Sequence, residues 1–267
     1  MNRDNMIPKI IHTIWFSNDP ITPPNYPIDV IKCMNSWKDK LSDYKIMHWD
    51  ATNIDFSACP YAKEAFEAGK FAFASDYVRL WALYNYGGIY LDSDVEVLKS
   101  FDDLLDNKAF TGFEEKKRIA AWIFGSEKGN PLFKEFIDDY KGRHFKLGVN
   151  QYDTTPNPVP ITQRLVKKGL KFNNKKQVLE NITIYPMDFF CPFNPYRQGK
   201  DLFTKNTVAN HHFSGAWKQK NSKDEQLYSL AIRFYSKIFG LKLGPAIYKK
   251  CPFKRVLGTI ISRIKKQ

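Results

Sequence analysis

The chain has 267 residues, of which 43% are hydrophobic and 26% charged, and its formal net charge at pH 7 is +13. This composition is ordinary for a globular protein, and the length allows one main hydrophobic core with a small appendage. No apolar run reaches the roughly 18–20 residues of a membrane-spanning helix, so we expect no transmembrane segment.

The start of the chain and its cysteines bear on the compartment. Residues 1–6 are polar and lead into a strand-like segment, so we expect no signal peptide. The cysteines form no C-x-x-C pair and have no histidine at zinc-site spacing, and we expect free thiols in a reducing cytosol. They are Cys33, Cys59, Cys191 and Cys251.

Strand-like and helix-like segments alternate along the chain. In chain order we expect a strand at 10–16, a helix at 28–40, a strand at 44–49, a short helix at 61–68, a helix ending before Gly87, a strand at 89–91, a helix at 101–106, strands at 110–113 and 120–125, helices at 131–140 and 161–169, and a strand at 182–185. This alternation predicts an α/β domain with a mostly parallel sheet covered by helices on both faces. Two proline-containing stretches, 142–160 and 191–205, are expected to be loops, and the first is long enough to be functional or mobile.

Residues 71–97 are the most informative part of the sequence. The first half predicts a helix because apolar residues recur on one face, and Gly87-Gly88 can adopt the left-handed conformation that ends it. The residues of that face are Phe73, Tyr77, Leu80, Trp81 and Tyr84. A short apolar strand follows, with Asp92 and Asp94 at its carboxyl end, where ligands bind in open α/β sheets. Two neighbouring carboxylates repel each other, and a hard cation such as Mg²⁺ or Mn²⁺ is the simplest means of relieving that repulsion.

The S-D-x-x-R…G-G-x-Y-x-D-x-D pattern of residues 75–94 resembles glycosyltransferase family 32, which is related to the glucosyltransferase domains of large clostridial toxins. Further segments resemble the family's opening strand, its next helix and strand, and its closing motif. They are I-P-K-I-I-H-T-I-W at 7–15, N-S-W-K at 35–38, D-Y-K-I-M-H-W-D at 43–50 and N-H-H-F-S-G-A-W at 210–217. The resemblance implies a GT-A nucleotide-diphospho-sugar transferase fold, which we assign to residues 1–225.

The resemblance also implies a metal site at the D-x-D motif. Asp94 would bind the cation directly, and Asp92 would contact ribose and sugar hydroxyls and the metal through water. A further ligand would come from the closing motif, where the resemblance favours His212. Because adjacent residues on a strand point in opposite directions, only one of His211 and His212 is expected to reach the metal.

The family's donor-contacting residues map onto other strand ends and onto the helix before the D-x-D motif. By resemblance, Trp15 would stack on the base and the Ile14 backbone would pair with its edge, while Asp76 and Arg79 would hold the sugar or the leaving oxygen. The complete set of expected catalytic residues is Asp76, Arg79, Asp92 and Asp94, and the expected substrate-binding residues are Ile14, Trp15, Ser75, Tyr90, Ser214 and Trp217.

The activity implied by the resemblance is retaining transfer of a hexose, galactose or glucose, from a UDP-sugar to a saccharide acceptor. Mn²⁺ or Mg²⁺ is the expected cofactor. The resemblance to bacterial sugar-polymer enzymes implies a role in capsule, exopolysaccharide or lipopolysaccharide synthesis, with an acceptor linked to lipid.

The final segment, 226–267, differs from the rest in charge. It holds ten basic residues and no acidic one, which leaves 31 basic and 28 acidic residues in 1–225. Two apolar stripes at helical spacing, 227–238 and 253–264, accompany these charges. We expect the first to pack on the catalytic domain and the second to lie on an anionic membrane surface. The expected location is therefore cytoplasmic, at the inner face of the plasma membrane, and no nucleic-acid module is recognised.

Two other function classes remain compatible with parts of the sequence. A phosphatase of the haloacid dehalogenase type also has an apolar strand that ends in D-x-D, although it normally follows the first strand of such a chain. A non-catalytic sugar- or membrane-binding protein on a transferase fold is the other, and donor hydrolysis without acceptor would distinguish it.

Overall fold

The computed structural model describes residues 6–17, 26–195 and 201–215. A central eight-stranded sheet lies in the middle of this part of the chain. In chain order the strands are β1 (Ile10–Ile14), β2 (Lys45–Trp49), β3 (Gly88–Leu91), β4 (Val95–Val97), β5 (Ala109–Glu115), β6 (Arg118–Ile119), β7 (Ile123–Ser126), β8 (Lys146–Gly148), β9 (Gln151–Tyr152), β10 (Gln177–Leu179), β11 (Ile182–Tyr185) and β12 (Ala209–His211). The sheet order is β10-β11-β5-β7-β3-β1-β2, with β6 paired to β5, while β12-β4 and β8-β9 form two separate pairs.

Strand direction in the central sheet agrees with the expected mostly parallel arrangement. β1 runs parallel to both β2 and β3, and β11 runs parallel to β5. β7 lies antiparallel between β3 and β5, so these two strands share a direction, and β6 and β10 are antiparallel additions. Five strands therefore point one way, and their carboxyl ends lie along a common edge.

Helices cover both faces of the sheet. They are α1 (Ile28–Lys40), α2 (Pro60–Glu67), α3 (Phe71–Tyr86), α4 (Pro131–Asp138), α5 (Pro158–Lys167) and α6 (Met187–Phe190). One core contains residues of α2 to α5 together with Tyr90 of β3, and the other contains residues of α1 and α6 together with Ile89 and Leu91. Because successive side chains of a strand point to opposite faces, β3 is buried on both sides. The expected α/β architecture is confirmed.

Two glycines set the path from α3 into β3. Gly87 has φ +65° and ends the helix, and Gly88 has φ +104°. A Cβ atom built at Gly88 would lie 2.6 Å from the carbonyl oxygen of Ile10, so this glycine allows β3 to approach β1 closely. The Gly-Gly stop that the sequence indicates thus places the start of β3 against the middle of the sheet.

His12 ties three elements together inside the sheet. Trp49 Nε1 of β2 donates to His12 Nδ1 at 3.1 Å, and His12 Nε2 donates to the carbonyl of Gly87 at 2.7 Å. The imidazole is fully buried, and burial lowers its pKa to about 4. The neutral ring therefore has both nitrogens satisfied.

Several expected boundaries differ from the structure. β1 ends at Ile14 rather than at residue 16, the strand expected at 120–125 begins at Ile123, and the helix expected at 101–106 is a 3₁₀ turn at Asp102–Leu104. The stretch 142–160 is not only loop, because it contains the β8-β9 hairpin and the first residues of α5.

The chain divides into two units, Met1–Gly215 and Ala216–Gln267. The second unit, which includes the basic segment 226–267, lies outside the described residues. Within the described ranges, no helix has the length and apolar character needed to span a bilayer.

Candidate active site

The D-x-D motif lies where β3 leaves the sheet. The amide of Asp92 donates to the carbonyl of Trp122 at 2.9 Å, and the amide of Val95 donates to the carbonyl of Asp92 at 3.1 Å, which forms a tight turn before β4. β4 then pairs antiparallel with β12, with His211 opposite Val95. This pairing brings the closing motif next to the two aspartates.

Asp94 is a buried carboxylate with a full set of donors. His211 Nε2 lies 3.1 Å from its Oδ1, while the amide and hydroxyl of Ser214 donate to its Oδ2 at 2.7 and 2.9 Å. Burial opposes ionisation, but the His211 and Ser214 hydrogen bonds outweigh it and hold the pKa of Asp94 well below its usual range. A bound cation is thus not the only group available to stabilise these charges, because Asp94 has its own hydrogen-bond partners.

The structure places the two histidines of the closing motif in different surroundings. His211 is buried beside Asp94, with its ring 4.7 Å from that of Trp122. His212, favoured from the sequence, is exposed and pairs with Glu96 at 2.9 Å. Strand alternation along β12 turns His211 toward the aspartates and His212 away from them.

Asp92, Asp94 and His211 together could hold a metal ion. Each offers one ligand atom, and these atoms lie within 4.8 Å of one another. His211 Nδ1 is buried and has no hydrogen-bond partner among the described residues. Two carboxylates and an imidazole form a donor set suited to a divalent transition ion such as Mn²⁺, and the residues therefore fit a cation.

Arg79 lies at the centre of the neighbouring cluster. Its Nη2 contacts Asp76 Oδ1 at 3.0 Å and Asp92 Oδ1 at 3.7 Å, and its Nη1 donates to the carbonyl of Ala121 at 2.7 Å. The hydroxyl of Ser75, which lies one helical turn before Arg79, accepts from Arg79 Nη2 at 3.3 Å. The S-D-x-x-R spacing therefore brings these side chains together on one face of α3.

Tyr90 joins Arg79 to the D-x-D motif. Its hydroxyl donates to Asp92 Oδ1 at 2.5 Å, and the Arg79 guanidinium lies 4.7 Å from the centre of its ring. Both side chains are buried, so the contact of the cation with the ring is shielded from water. Asp92 retains more exposure, with 29% of its side chain accessible to solvent.

Asp76 is buried at the same site and has a partner that sequence reasoning missed. Burial raises the pKa of Asp76 to about 6, while the Arg79 guanidinium acts in the opposite direction. The backbone amide of Asn157 donates to Asp76 Oδ2 at 3.2 Å. An asparagine between two prolines at a helix start was the available signal, but nothing in the sequence indicates which residue it contacts.

The residues expected to bind the base lie at the end of β1. Trp15 is half-buried, with its ring 4.9 Å from that of Tyr26 in an edge-on arrangement, and its amide donates to the carbonyl of Trp49. Ile14 is buried directly before it. β1 is parallel to β3, so Trp15 lies at the same edge of the sheet as Asp92. Trp217 lies outside the described residues.

The family comparison covers the part of the chain that contains the D-x-D motif. The family model described as "Glycosyltransferase sugar-binding region containing DXD motif" matches residues 27–111. Inositol phosphoceramide mannosyltransferase 3 of Schizosaccharomyces pombe is 29% identical over 163 residues, which cover 58% of this chain and 44% of that protein. The initiation-specific alpha-1,6-mannosyltransferase of Candida albicans is 23% identical over 79% of this chain and 72% of its own length. The matched part of this chain thus spans less than half of the S. pombe relative.

Two solved glycosyltransferase structures are similar to part of the chain. The PaToxG glycosyltransferase is 20% identical, with a TM-score of 0.46, over 62% of this chain and 71% of its own. The galactosyltransferase LgtC, solved with donor and acceptor analogues, is 13% identical, with a TM-score of 0.40, over 77% and 87%. Residues 27–111, which contain helix α3 and the D-x-D turn, are therefore similar to glycosyltransferase sugar-binding regions that contain the DXD motif.

Proposed function

We propose that this protein is a metal-dependent, retaining glycosyltransferase that moves a hexose from a nucleotide-diphosphate sugar to a saccharide acceptor. The observation that carries the proposal is the cluster of Asp92, Asp94 and His211 next to the buried Asp76–Arg79 pair. One group suits a cation and the other suits sugar hydroxyls, and the two are joined through Arg79 and Tyr90.

Each described residue has a part in this reaction. A divalent cation bound by Asp92, Asp94 and His211 would supply charge neutralisation for the departing diphosphate. Ser214 fixes the Asp94 carboxylate from the side away from His211. The Arg79 guanidinium, buried and always charged, adds positive charge close to the leaving oxygen.

Asp76 is assigned to the donor sugar. Its Oδ1 faces Arg79 and its Oδ2 faces the amide of Asn157, and each oxygen keeps capacity to accept from a sugar hydroxyl. Trp15, half-exposed at the end of β1, offers a flat face for the base. The donor would thus lie along the carboxyl edge of β1 and β3.

Retention follows from transfer on one face of the sugar. The bond from the acceptor oxygen to the anomeric carbon forms as the bond from that carbon to the phosphate oxygen breaks. The acceptor's hydroxyl proton passes to the departing phosphate oxygen, so charge and atoms balance without a protein nucleophile. The protein then acts by positioning and by electrostatic stabilisation.

The finer details of donor, metal and acceptor are part of the proposal. The family resemblance supports UDP-glucose or UDP-galactose as the donor. Two fungal relatives are named mannosyltransferases, so a mannose donor is tested beside them. The imidazole in the donor set favours Mn²⁺ over Mg²⁺, which prefers oxygen ligands. The basic segment 226–267 supports a lipid-linked acceptor at the cytoplasmic face of a bacterial membrane, in capsule, exopolysaccharide or lipopolysaccharide synthesis.

The test is donor hydrolysis without acceptor. Purified protein is incubated with UDP-glucose, UDP-galactose or GDP-mannose, in Mn²⁺ or in excess chelator, and the released nucleoside diphosphate is measured. We expect release from one donor, only with metal, and its loss by several orders of magnitude in Asp94→Asn. Glu96→Gln, two residues away and paired with exposed His212, is the matched control that keeps activity.

Two outcomes would contradict the proposal. Full activity in excess chelator would show that the reaction does not need a metal ion. Hydrolysis of a general phosphatase substrate, with no release from any nucleotide-sugar, would favour the phosphatase alternative.

A further inference from the structure

Asn157 contacts Asp76 at two points. Its backbone amide donates to Asp76 Oδ2 at 3.2 Å, and its side-chain Nδ2 donates to the backbone carbonyl of Asp76 at 2.9 Å. Both residues are buried, and they are 81 positions apart in the sequence. Asn157 therefore holds the main chain and the carboxylate of Asp76 at the same time.

The side chain of Asn157 is turned away from its own helix. It occupies the position before α5 where an asparagine usually accepts from the first amides of the helix, yet it makes no such capping bond. Pro158 and Pro160 have no N–H group, and the amide of Val159 donates to the carbonyl of Pro156 at 3.0 Å. Because the helix start needs so little capping, the amide side chain is available for Asp76.

A second contact fixes the orientation of Asn157. The buried hydroxyl of Tyr140 donates to Asn157 Oδ1 at 3.3 Å, which leaves Nδ2 directed at the carbonyl of Asp76. Tyr140 is in turn stacked with Arg143, whose guanidinium is 4.9 Å from the ring centre and pairs with Asp153 at 2.6 Å. The stretch expected to be loop is thus anchored at both of its ends.

We propose that Asn157 is a positioning residue, which holds Asp76 in the geometry that receives the donor sugar. The inference rests on the proposed function, since it assigns Asp76 to the sugar. Sub-ångström placement of such a group matters because misplacement by about 1 Å can cost about 100-fold in rate. Asn157 acts through Asp76 and has no other part in the reaction.

Asn130 provides a matched control for the test. It is a buried asparagine before α4, followed by Pro131, and its side chain contacts Leu132, Lys108 and Asn181 rather than the site. Asn157→Ala and Asn130→Ala each remove a buried side-chain amide group at a helix start and keep the backbone amide. A loss of stability alone would therefore affect both variants alike.

The experiment measures thermal midpoint, the Kd of the nucleoside diphosphate with Mn²⁺, and kcat and KM of donor hydrolysis. For Asn157→Ala we expect kcat to fall by about 100-fold, with the Kd of the nucleoside diphosphate unchanged. For Asn130→Ala we expect a lower thermal midpoint with kcat unchanged. In an Asp76→Asn background, Asn157→Ala should cause little further loss of kcat, since coupled residues are not additive.

Opposite results would overturn the inference. Equal effects of Asn157→Ala and Asn130→Ala on kcat, or an equal further loss in the Asp76→Asn background, would make Asn157 a stability residue. If Asn157→Ala does not fold, Tyr140→Phe provides a second test, because it removes one hydrogen bond to Asn157. We expect Tyr140→Phe to lower kcat as well, and an unchanged kcat in that variant would overturn the inference. Failure of the proposed function would be recognised separately, because the wild-type protein would then neither bind the nucleoside diphosphate with Mn²⁺ nor hydrolyse a donor.

Discussion

Asp92 and Asp94 are two residues apart and have different surroundings. The Asp94 side chain is 11% exposed and accepts from Ser214 and His211, whereas the Asp92 side chain is 29% exposed and accepts from Tyr90. Asp94 is held by His211 and Ser214 of the closing motif. Asp92 lies between Asp94 and the buried Asp76–Arg79 pair. At the scale of single residues, this difference supports the proposal that Asp94 serves the metal and the diphosphate, and Asp92 both the metal and the sugar.

The two histidines of the closing motif give the sharpest residue-level prediction. His211→Gln should raise the Kd for Mn²⁺ by at least about 100-fold, since even residues that only support a ligand cost about 10–100-fold. His212→Gln, next to it and exposed, should leave the Kd unchanged. Titration with Mn²⁺ alone measures both, and the reverse order of effects would return the ligand to His212.

Trp15 is predicted to contribute directly to nucleotide binding. Trp15→Ala should weaken binding of UDP by about 1–3 kcal/mol, the usual contribution of one base stacked on one aromatic ring. Trp15→Phe, which keeps an aromatic face, should recover part of that loss. Calorimetric titration measures the affinity, and an unchanged affinity with a lower thermal midpoint would make Trp15 a core residue that packs on Tyr26.

At the scale of elements, His12 links β1, β2 and the end of α3 and makes their stability depend on pH. Its pKa is about 4 in the folded protein, below the ordinary value of 6.5, because burial disfavours the charged ring. The unfolded chain therefore takes up a proton between about pH 6.5 and 4 that the folded protein does not. Stability should fall as the pH decreases through this window, by an amount on the order of 3 kcal/mol for this group.

Urea unfolding at several pH values tests this linkage. His12→Phe should be less stable at pH 7, because the Trp49 indole and the Gly87 carbonyl lose their partner, but its stability should depend less steeply on pH near 5. The proton uptake on unfolding should fall by about one. An unchanged slope would show that other groups account for the acid sensitivity.

At the scale of the whole molecule, the basic segment 226–267 is predicted to bring the enzyme to an anionic membrane. Deletion of 252–267 removes five basic residues, each worth about 1 kcal/mol near such a surface. Donor hydrolysis should persist, whereas binding to anionic vesicles at moderate salt should be lost. A full-length variant with these five residues changed to glutamine separates the charges from the apolar stripe. Loss of hydrolysis or of solubility on deletion would place the stripe in the core instead.

The sequence by itself determined helices α1 to α5, six of the strands and the edge of the sheet where the site lies; those strands are β1, β2, β3, β5, β7 and β11. Helix α1 and strand β11 have the predicted bounds, and the Gly87-Gly88 stop and the D-x-D turn are where local pattern indicates. These features depend on periodicity and on the backbone freedom of glycine, both of which are local properties of the chain. The pairing of Asp76 with Arg79 was equally predictable, because i and i+3 share a helix face.

Only the tertiary structure decided which distant residues complete the site. A one-residue change in strand register would exchange the faces of His211 and His212, so their roles depend on how β12 pairs with β4 across more than a hundred residues. The contact of Asn157 with Asp76 likewise joins segments 81 residues apart. Such contacts arise from packing and register, which no local pattern specifies.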